Sequence, residues 1–176
     1  MGDPFAIMRL NVPVRPVRKR GQGVREIGWA QFGDLARQLA EHIGREFRPD
    51  VILGVANGGV FLGGALASRL RAEFYSIRIE RLAKGPIAEP LSAALAKKRV
   101  LVVDDVTDSG ATLAAARAAV RKTRAREIRT ATLVARPGGR QPNFKALETD
   151  DLVVFGWDYQ LGGGLPGASD PGETGV

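Results

Sequence analysis

Apolar residues along the chain alternate between two kinds of pattern. Val51 to Val55 and Val100 to Val103 are unbroken apolar runs, the signature of strands buried on both faces of a parallel sheet. Between such runs the apolar positions recur every three or four residues. Phe32, Leu35, Ala36, Leu39 and Ile43 predict a helix from Trp29 to Gly44, where glycine is a natural stop. Val60 to Leu70 predicts a second helix, and its small residues Gly63, Gly64, Ala65 and Ala67 permit close packing on a sheet. Leu113, Ala116 and Val120 mark the inner face of a third, with Arg117, Arg121, Lys122 and Arg124 on a solvated outer face. Phe74 to Glu80, Ile128 to Ala135 and Leu152 to Phe155 read as further strands. Strands alternating with helices imply an α/β domain with a mainly parallel, twisted sheet flanked by helices. Ligands of such sheets bind at the carboxyl ends of the strands. That rule gathers Asn57–Gly59, Asp104–Thr112, Arg136 and Trp157–Asp158 on one edge.

The remaining segments read as connections. Residues 1–25 carry Pro13, Pro16 and the cluster Arg15, Arg18, Lys19 and Arg20, and read as a basic, irregular arm. Residues 26–161 form the expected domain, and 162–176, rich in Gly, Pro and acidic residues, read as a flexible tail. The first half of Arg81 to Ala96 contains Lys84, Gly85, Pro86, Glu89 and Pro90 and predicts a loop long enough to serve as a lid. Arg136 to Arg140, with Pro137, Gly138 and Gly139, breaks the strand before it. His42, the sole histidine, falls near a helix end and reads as a surface residue.

Composition narrows the classes. The 176 residues suit one domain with a sizeable core. There is no cysteine, hence no disulfide framework and no thiolate metal site. No apolar run reaches the length of about 20 residues that crosses a bilayer, and the first residues lack a signal-peptide pattern. No membrane partner and a cytoplasmic location are expected. The net charge of +7 favours anionic ligands. The basic residues are spread along the chain with few aromatics among them, which makes nucleic acid an unlikely partner.

The chemistry concentrates in Val100 to Leu113. Four apolar residues run into the paired carboxylates Asp104 and Asp105, and a small-residue loop, Thr107, Asp108, Ser109, Gly110, Ala111 and Thr112, opens a helix. Backbone amides of such a loop cradle phosphate, and the two carboxylates beside it can hold ribose hydroxyls or a Mg²⁺ that bridges to phosphate. Ala56, Asn57, Gly58 and Gly59 repeat the strand–turn–helix theme, and the glycines let backbone amides face an anion. It is no Walker loop, because no Gly-Lys-Ser/Thr follows.

The stretch Val-Leu-Val-Val-Asp-Asp-Val-Thr-Asp-Ser-Gly-Ala-Thr resembles the phosphoribosyl-pyrophosphate (PRPP) motif of type I phosphoribosyltransferases. Gly54 to Gly59 resembles that family's pyrophosphate loop, and the likeness spans Trp29 to Tyr159. Ala135 to Arg140 and Trp157-Asp158 resemble most closely the xanthine, hypoxanthine and guanine enzymes. The resemblance implies a type I phosphoribosyltransferase-like fold and transfer of ribose 5-phosphate from PRPP to a nucleobase, a 6-oxopurine, with pyrophosphate released. Asp104 and Asp105 would hold the ribose hydroxyls directly or through Mg²⁺, and Asp158 would bind a second Mg²⁺. Thr107 to Thr112 would wrap the 5′-phosphate, with Asp108 exchanging a proton with the base. Ala56 to Gly59 would hold pyrophosphate, with a non-proline cis peptide as in relatives. Arg136 would read the 6-oxo group from a place where relatives carry lysine, and Leu152 and Val153 would flank the base. Asn57 stands where relatives usually have a basic residue. Relatives are commonly dimers or tetramers, so a homo-oligomer is implied. The alternative is a PRPP- or nucleotide-sensing regulator that binds nucleic acid or a protein without catalysis.

Overall fold

A computed structural model of the chain describes residues 23–82, 85–88 and 95–158. The arm through residue 22, the tail from residue 159, and residues 83–84 and 89–94 of the expected lid lie outside the described residues. The elements run β1 (Val24–Ile27), α1 (Trp29–Glu46), β2 (Val51–Ala56), α2 (Gly58–Leu70), β3 (Glu73–Leu82), β4 (Gly85–Ala88), β5 (Arg99–Thr107), α3 (Ala111–Lys122), β6 (Glu127–Ala135), β7 (Phe144–Glu148) and β8 (Leu152–Phe155).

Six strands form the main sheet in the order β4-β3-β2-β5-β6-β7. All pairs are parallel except β3–β4, which is antiparallel. α1 and α2 cover one face with a core of Phe32, Leu39, Ile43, Leu62, Leu66, Leu101 and Leu133. α3 covers the other, over Val51, Leu53, Val100 and Val102 with Leu113, Ala116 and Val120. Both central strands are therefore buried on each side, as their unbroken apolar runs require. The mainly parallel α/β architecture expected from the sequence is the one observed.

Some local details differ from the sequence reading. Gly44 does not end α1, which continues to Glu46. A Cβ at Gly44 would meet Leu70 Cδ2 at 3.4 Å, so this glycine marks where α1 lies on α2. Of the small residues of α2, Gly63 does serve close packing, since a Cβ there would come within 2.6 Å of Phe74 Cε2, whereas one at Gly64 would meet nothing within 4 Å. The segment after Glu80 is less loop-like than its composition predicts. β3 runs on to Leu82, and β4 folds back on it as the edge strand. Pro86 is tolerated there because an edge strand has one side without ladder bonds. β8 forms as predicted but does not extend the main sheet. It pairs in parallel with β1, Val24 beside Leu152 through Ile27 beside Phe155. Val24 and Arg25, read from the sequence as part of the basic arm, thus belong to a strand. The edge place is taken by β7, a strand the sequence reading did not contain.

Candidate active site

Chain direction reverses between β2 and β5. From β2 the chain moves outward to β3, and from β5 it moves the other way to β6. This switch point leaves a crevice beyond the carboxyl ends of the two strands. β2 and β5 stay in register only from Val51 beside Val100 to Gly54 beside Val103. β5 and β6 remain paired as far as Thr107 beside Ala135. The first turn of α2 fills the gap where β2 and β5 part. Gly58 and Gly59 are helical, not loop, residues. A Cβ on Gly59 would sit 2.6 Å from the Val103 carbonyl oxygen and 2.9 Å from Asp104 Cα. One on Gly58 would overlap the Asp105 carboxylate. The two glycines bring a helix N-terminus against the paired acids. The peptide bond before them, Ala56–Asn57, is cis.

Asp104 and Asp105 are both buried at the end of β5. Asp105 N–H donates to Asp104 Oδ1 at 3.0 Å, and Val106 N–H to Asp105 Oδ1 at 2.8 Å. Main-chain donors thus orient both carboxylates. Past Thr107 the chain turns outward, with Asp108 and Ser109 exposed. Gly110, at φ 80°, caps α3 in the left-handed region that favours glycine. Ser109 Oγ accepts the Ala111 N–H at 3.3 Å, which points the loop amides toward one side.

The segment after β6 buttresses this loop. Arg136 N–H donates to the Thr107 carbonyl at 2.9 Å and Arg140 N–H to the Ser109 carbonyl at 3.3 Å. Gly139 lies so close to the Asp108 carbonyl that a Cβ there would overlap it. Gln141 Nε2 closes the segment on the carbonyls of Arg136 and Gly139, at 2.9 and 3.2 Å. The sequence reading took Arg136–Arg140 as a strand break carrying a base contact; its second role, as a clamp on the phosphate loop, went unseen.

The Arg136 side chain leaves β6 toward the start of β8, where Nη1 donates to the Asp150 carbonyl at 2.7 Å. It therefore reaches the turn that leads into Leu152 and Val153, with one of its five donors engaged. After β8, Asp158 folds back so that Oδ2 accepts the Phe155 N–H at 2.9 Å. Trp157 stacks on Phe155 and Phe61 at 4.5 and 4.7 Å between ring centres. It also meets Phe32 edge-on at 5.2 Å, and this aromatic block fixes β8 and its turn to α1 and α2. Asp158 is thus held on a separate turn. Among the described residues no three acidic or histidine side chains converge as a metal cluster. His42 is exposed on α1 and paired with Glu46, in keeping with a surface residue.

The chain matches the phosphoribosyl transferase domain model over residues 28–162. It belongs to that family. Family members of known structure share its architecture. A purine phosphoribosyltransferase from Pyrococcus horikoshii is 31% identical, with a TM-score of 0.72 over 78% of this chain and 95% of that one. The xanthine-guanine-hypoxanthine phosphoribosyltransferase of Helicobacter pylori shares the fold at 18% identity, with a TM-score of 0.69 over 77% and 94% of the two chains. An orotate phosphoribosyltransferase from Saccharolobus solfataricus is 33% identical over 85 residues, 48% of this chain and 43% of that protein. The match spans less than half the length of that curated relative.

Within this family member, Ala56–Gly59 and Asp104–Thr112 meet at the switch point, and Arg136 links the Thr107 carbonyl to the Asp150 carbonyl in the turn before Leu152 and Val153. One basic residue of the region was absent from the sequence reading. Arg78 of β3 is the register partner of Ala56. It places a guanidinium on the strand beside the loop in which Asn57 supplies no charge. No periodicity marks it; only the pairing of β2 with β3 does.

Proposed function

We propose that the protein transfers the 5-phosphoribosyl group of PRPP to a nucleobase, a 6-oxopurine, and releases pyrophosphate. The observation that carries this is the contact of Gly58 with Asp105, which sets a helix N-terminus and two buried carboxylates against one another in the switch-point crevice. The Ala56–Gly59 turn supplies amides for the pyrophosphate, with the Arg78 guanidinium adding positive charge. The amides and hydroxyls of Thr107 to Thr112 take the 5′-phosphate, and Asp104 and Asp105 take the ribose hydroxyls. Arg136, anchored on Asp150, turns its remaining N–H donors to the base oxygen, with Leu152 and Val153 on the ring face.

Transfer breaks the bond from the anomeric carbon to the pyrophosphate oxygen and forms one to a ring nitrogen of the base. Positive charge grows on the sugar, and buried carboxylates oppose it where water is excluded. Asp108, exposed at the rim of the loop, accepts the proton that the base nitrogen loses. Mg²⁺ fits the donor set, because it binds through one or two carboxylates and completes its shell with phosphate oxygens and water. When bound it neutralises charge developing on the leaving pyrophosphate. Asp104 and Asp105 suit this role; Asp158, on its own turn, suits a second ion.

Purified protein incubated with PRPP and Mg²⁺ and with hypoxanthine, guanine, xanthine, adenine or orotate should yield the cognate nucleotide and one pyrophosphate per turnover. A 6-oxopurine should be the preferred acceptor. Orotate as the sole acceptor would replace the purine assignment, and no pyrophosphate with any base would remove the enzymatic one.

A further inference from the structure

Beneath the site lies a polar atom with no partner. Thr132, in β6, is 0% exposed, and its hydroxyl makes no hydrogen bond among the described residues. A hydroxyl in such a place has given up water without compensation. Valine offers the same branched shape without that cost, and valine fills the neighbouring sites Val102, Val103 and Val134. Thr130, two residues earlier, is fully used: its hydroxyl donates to Asn143 Oδ1 at 3.2 Å and accepts the Asn143 N–H at 3.1 Å. The difference lies in what each threonine stands beside. Thr130 is the register partner of Val102, whereas Thr132 is the register partner of Asp104. Paired residues of parallel strands project to one face from backbones about 4.8 Å apart. The Thr132 and Asp104 side chains therefore project side by side from the same face of the sheet. A carboxylate offers about four acceptor positions, so it can accept a further donor besides the Asp105 N–H on Oδ1.

We propose that Thr132 is a positioning residue for Asp104, its hydroxyl donating to the Asp104 carboxylate when PRPP occupies the site and holding it toward the ribose hydroxyls. The inference rests on the phosphoribosyl-transfer reading. Threonine has more than one accessible side-chain rotamer in a strand, so a turn about one bond brings the donor to the acid. The bond contributes to substrate binding and nothing to the fold without it.

Thr132→Val and Thr132→Ser test this against the unchanged protein by thermal denaturation with and without PRPP and Mg²⁺, and by steady-state kinetics. Thr132→Val should melt at or above the temperature of the unchanged protein. It should show a smaller PRPP-induced rise in melting temperature and about a tenfold higher KM for PRPP, equivalent to about 1.4 kcal/mol, with kcat less affected. Thr132→Ser, which keeps the hydroxyl, should restore the PRPP response. A valine variant less stable without PRPP would show that the hydroxyl has a structural partner, and overturn the proposal. So would equal PRPP responses in all three proteins, or equal losses in both variants. If the unchanged protein neither responds to PRPP nor turns over, the parent reading fails and takes this inference with it. If it does both and Thr132→Val matches it, only the role of Thr132 fails.

Discussion

The two rims of the central sheet are built from the same residue types and to opposite ends. At the amino-terminal rim, among the described residues, the carboxylates Asp50, Glu73 and Glu127 each meet a cation. Asp50 accepts two bonds from the Arg99 side chain, at 2.7 and 3.2 Å, and one from its N–H at 2.7 Å. Glu73 pairs with Lys98 at 2.6 Å and accepts the Tyr75 hydroxyl. These contacts tie β2, β3 and β5 together where they begin. At the carboxyl-terminal rim Asp105 has no basic side chain on it among the described residues, and main-chain amides orient it and Asp104. Asp50 and Glu73 on the first rim are solvent-accessible and paired; Asp104 and Asp105 on the second are buried and oriented. Burying a carboxylate is costly unless it is paired, hydrogen-bonded or bound to a ligand, so two adjacent buried acids at a crevice point to a site. One rim holds the strands in place, and the other uses their placement.

The sharpest way to break this contrast is to change the site rim alone. Asp108→Asn should lower kcat by about 10² to 10⁴-fold, the usual worth of a general acid–base group. PRPP binding, followed by calorimetry, should change little. Unchanged turnover would remove Asp108 from the chemistry. Gly58→Val comes next. Its side chain would occupy the place of the Asp105 carboxylate, and a displacement of about 1 Å at reacting groups costs about 10²-fold. The expected result is a fall of that size in kcat/KM for PRPP with a far-ultraviolet dichroism spectrum that keeps its native shape. Activity near that of the unchanged protein would mean that α2 and β5 need not touch for function.

A smaller effect is expected at Arg78. Arg78→Ala removes the guanidinium beside Ala56. The loss of a charge-assisted contact worth about 1.5 kcal/mol raises KM for PRPP about tenfold. Arg78→Lys should recover part of this, because it restores charge without the planar fork. An equal KM in Arg78→Ala would leave the pyrophosphate to backbone amides alone.

The site rim was the more legible of the two, for a physical reason. β5 is buried on both faces while it lies between β2 and β6, so its side chains there are apolar, and the change at Asp104 announces where it parts from β2. Gly58 and Gly59 were visible as permissive residues, but not as the start of α2 nor as the contact with Asp105. The short strands were illegible or misplaced. β1, Val-Arg-Glu-Ile, buries only Ile27, so it carries no usable alternation. β8 reads as a strand from Leu-Val-Val-Phe, yet nothing in four apolar residues says that its partner is β1 and not the main sheet. Arg78, Thr132 and the clamp from Arg136 to Arg140 acquire their places only through pairing between strands distant in sequence. Local pattern reports how much of a strand is buried, and register decides whom it faces.

The amino-terminal rim offers the mildest test and one with a defined sign. The Arg99 guanidinium and N–H hold the Asp50 carboxyl down from 3.8 to about 2. A group whose folded value is depressed stabilises the fold above its unfolded value, and that contribution is lost as pH falls through the folded one. The benefit of Asp50 is thus fully present above about pH 4 and disappears toward pH 2. Both side chains are more than a third exposed, at 39% and 36%, so solvent screening keeps the contribution small. Asp50→Asn should lower the urea midpoint slightly at neutral pH, and the gap from the unchanged protein should close as the pH approaches 2. Turnover with PRPP should stay the same, because the change lies at the opposite end of β2 and β5 from Gly58 and Asp105. A gap that persists at pH 2 would assign the effect to lost shape complementarity instead of charge. A fall in turnover without loss of stability would show that the two rims are coupled through the central strands and do not divide their work.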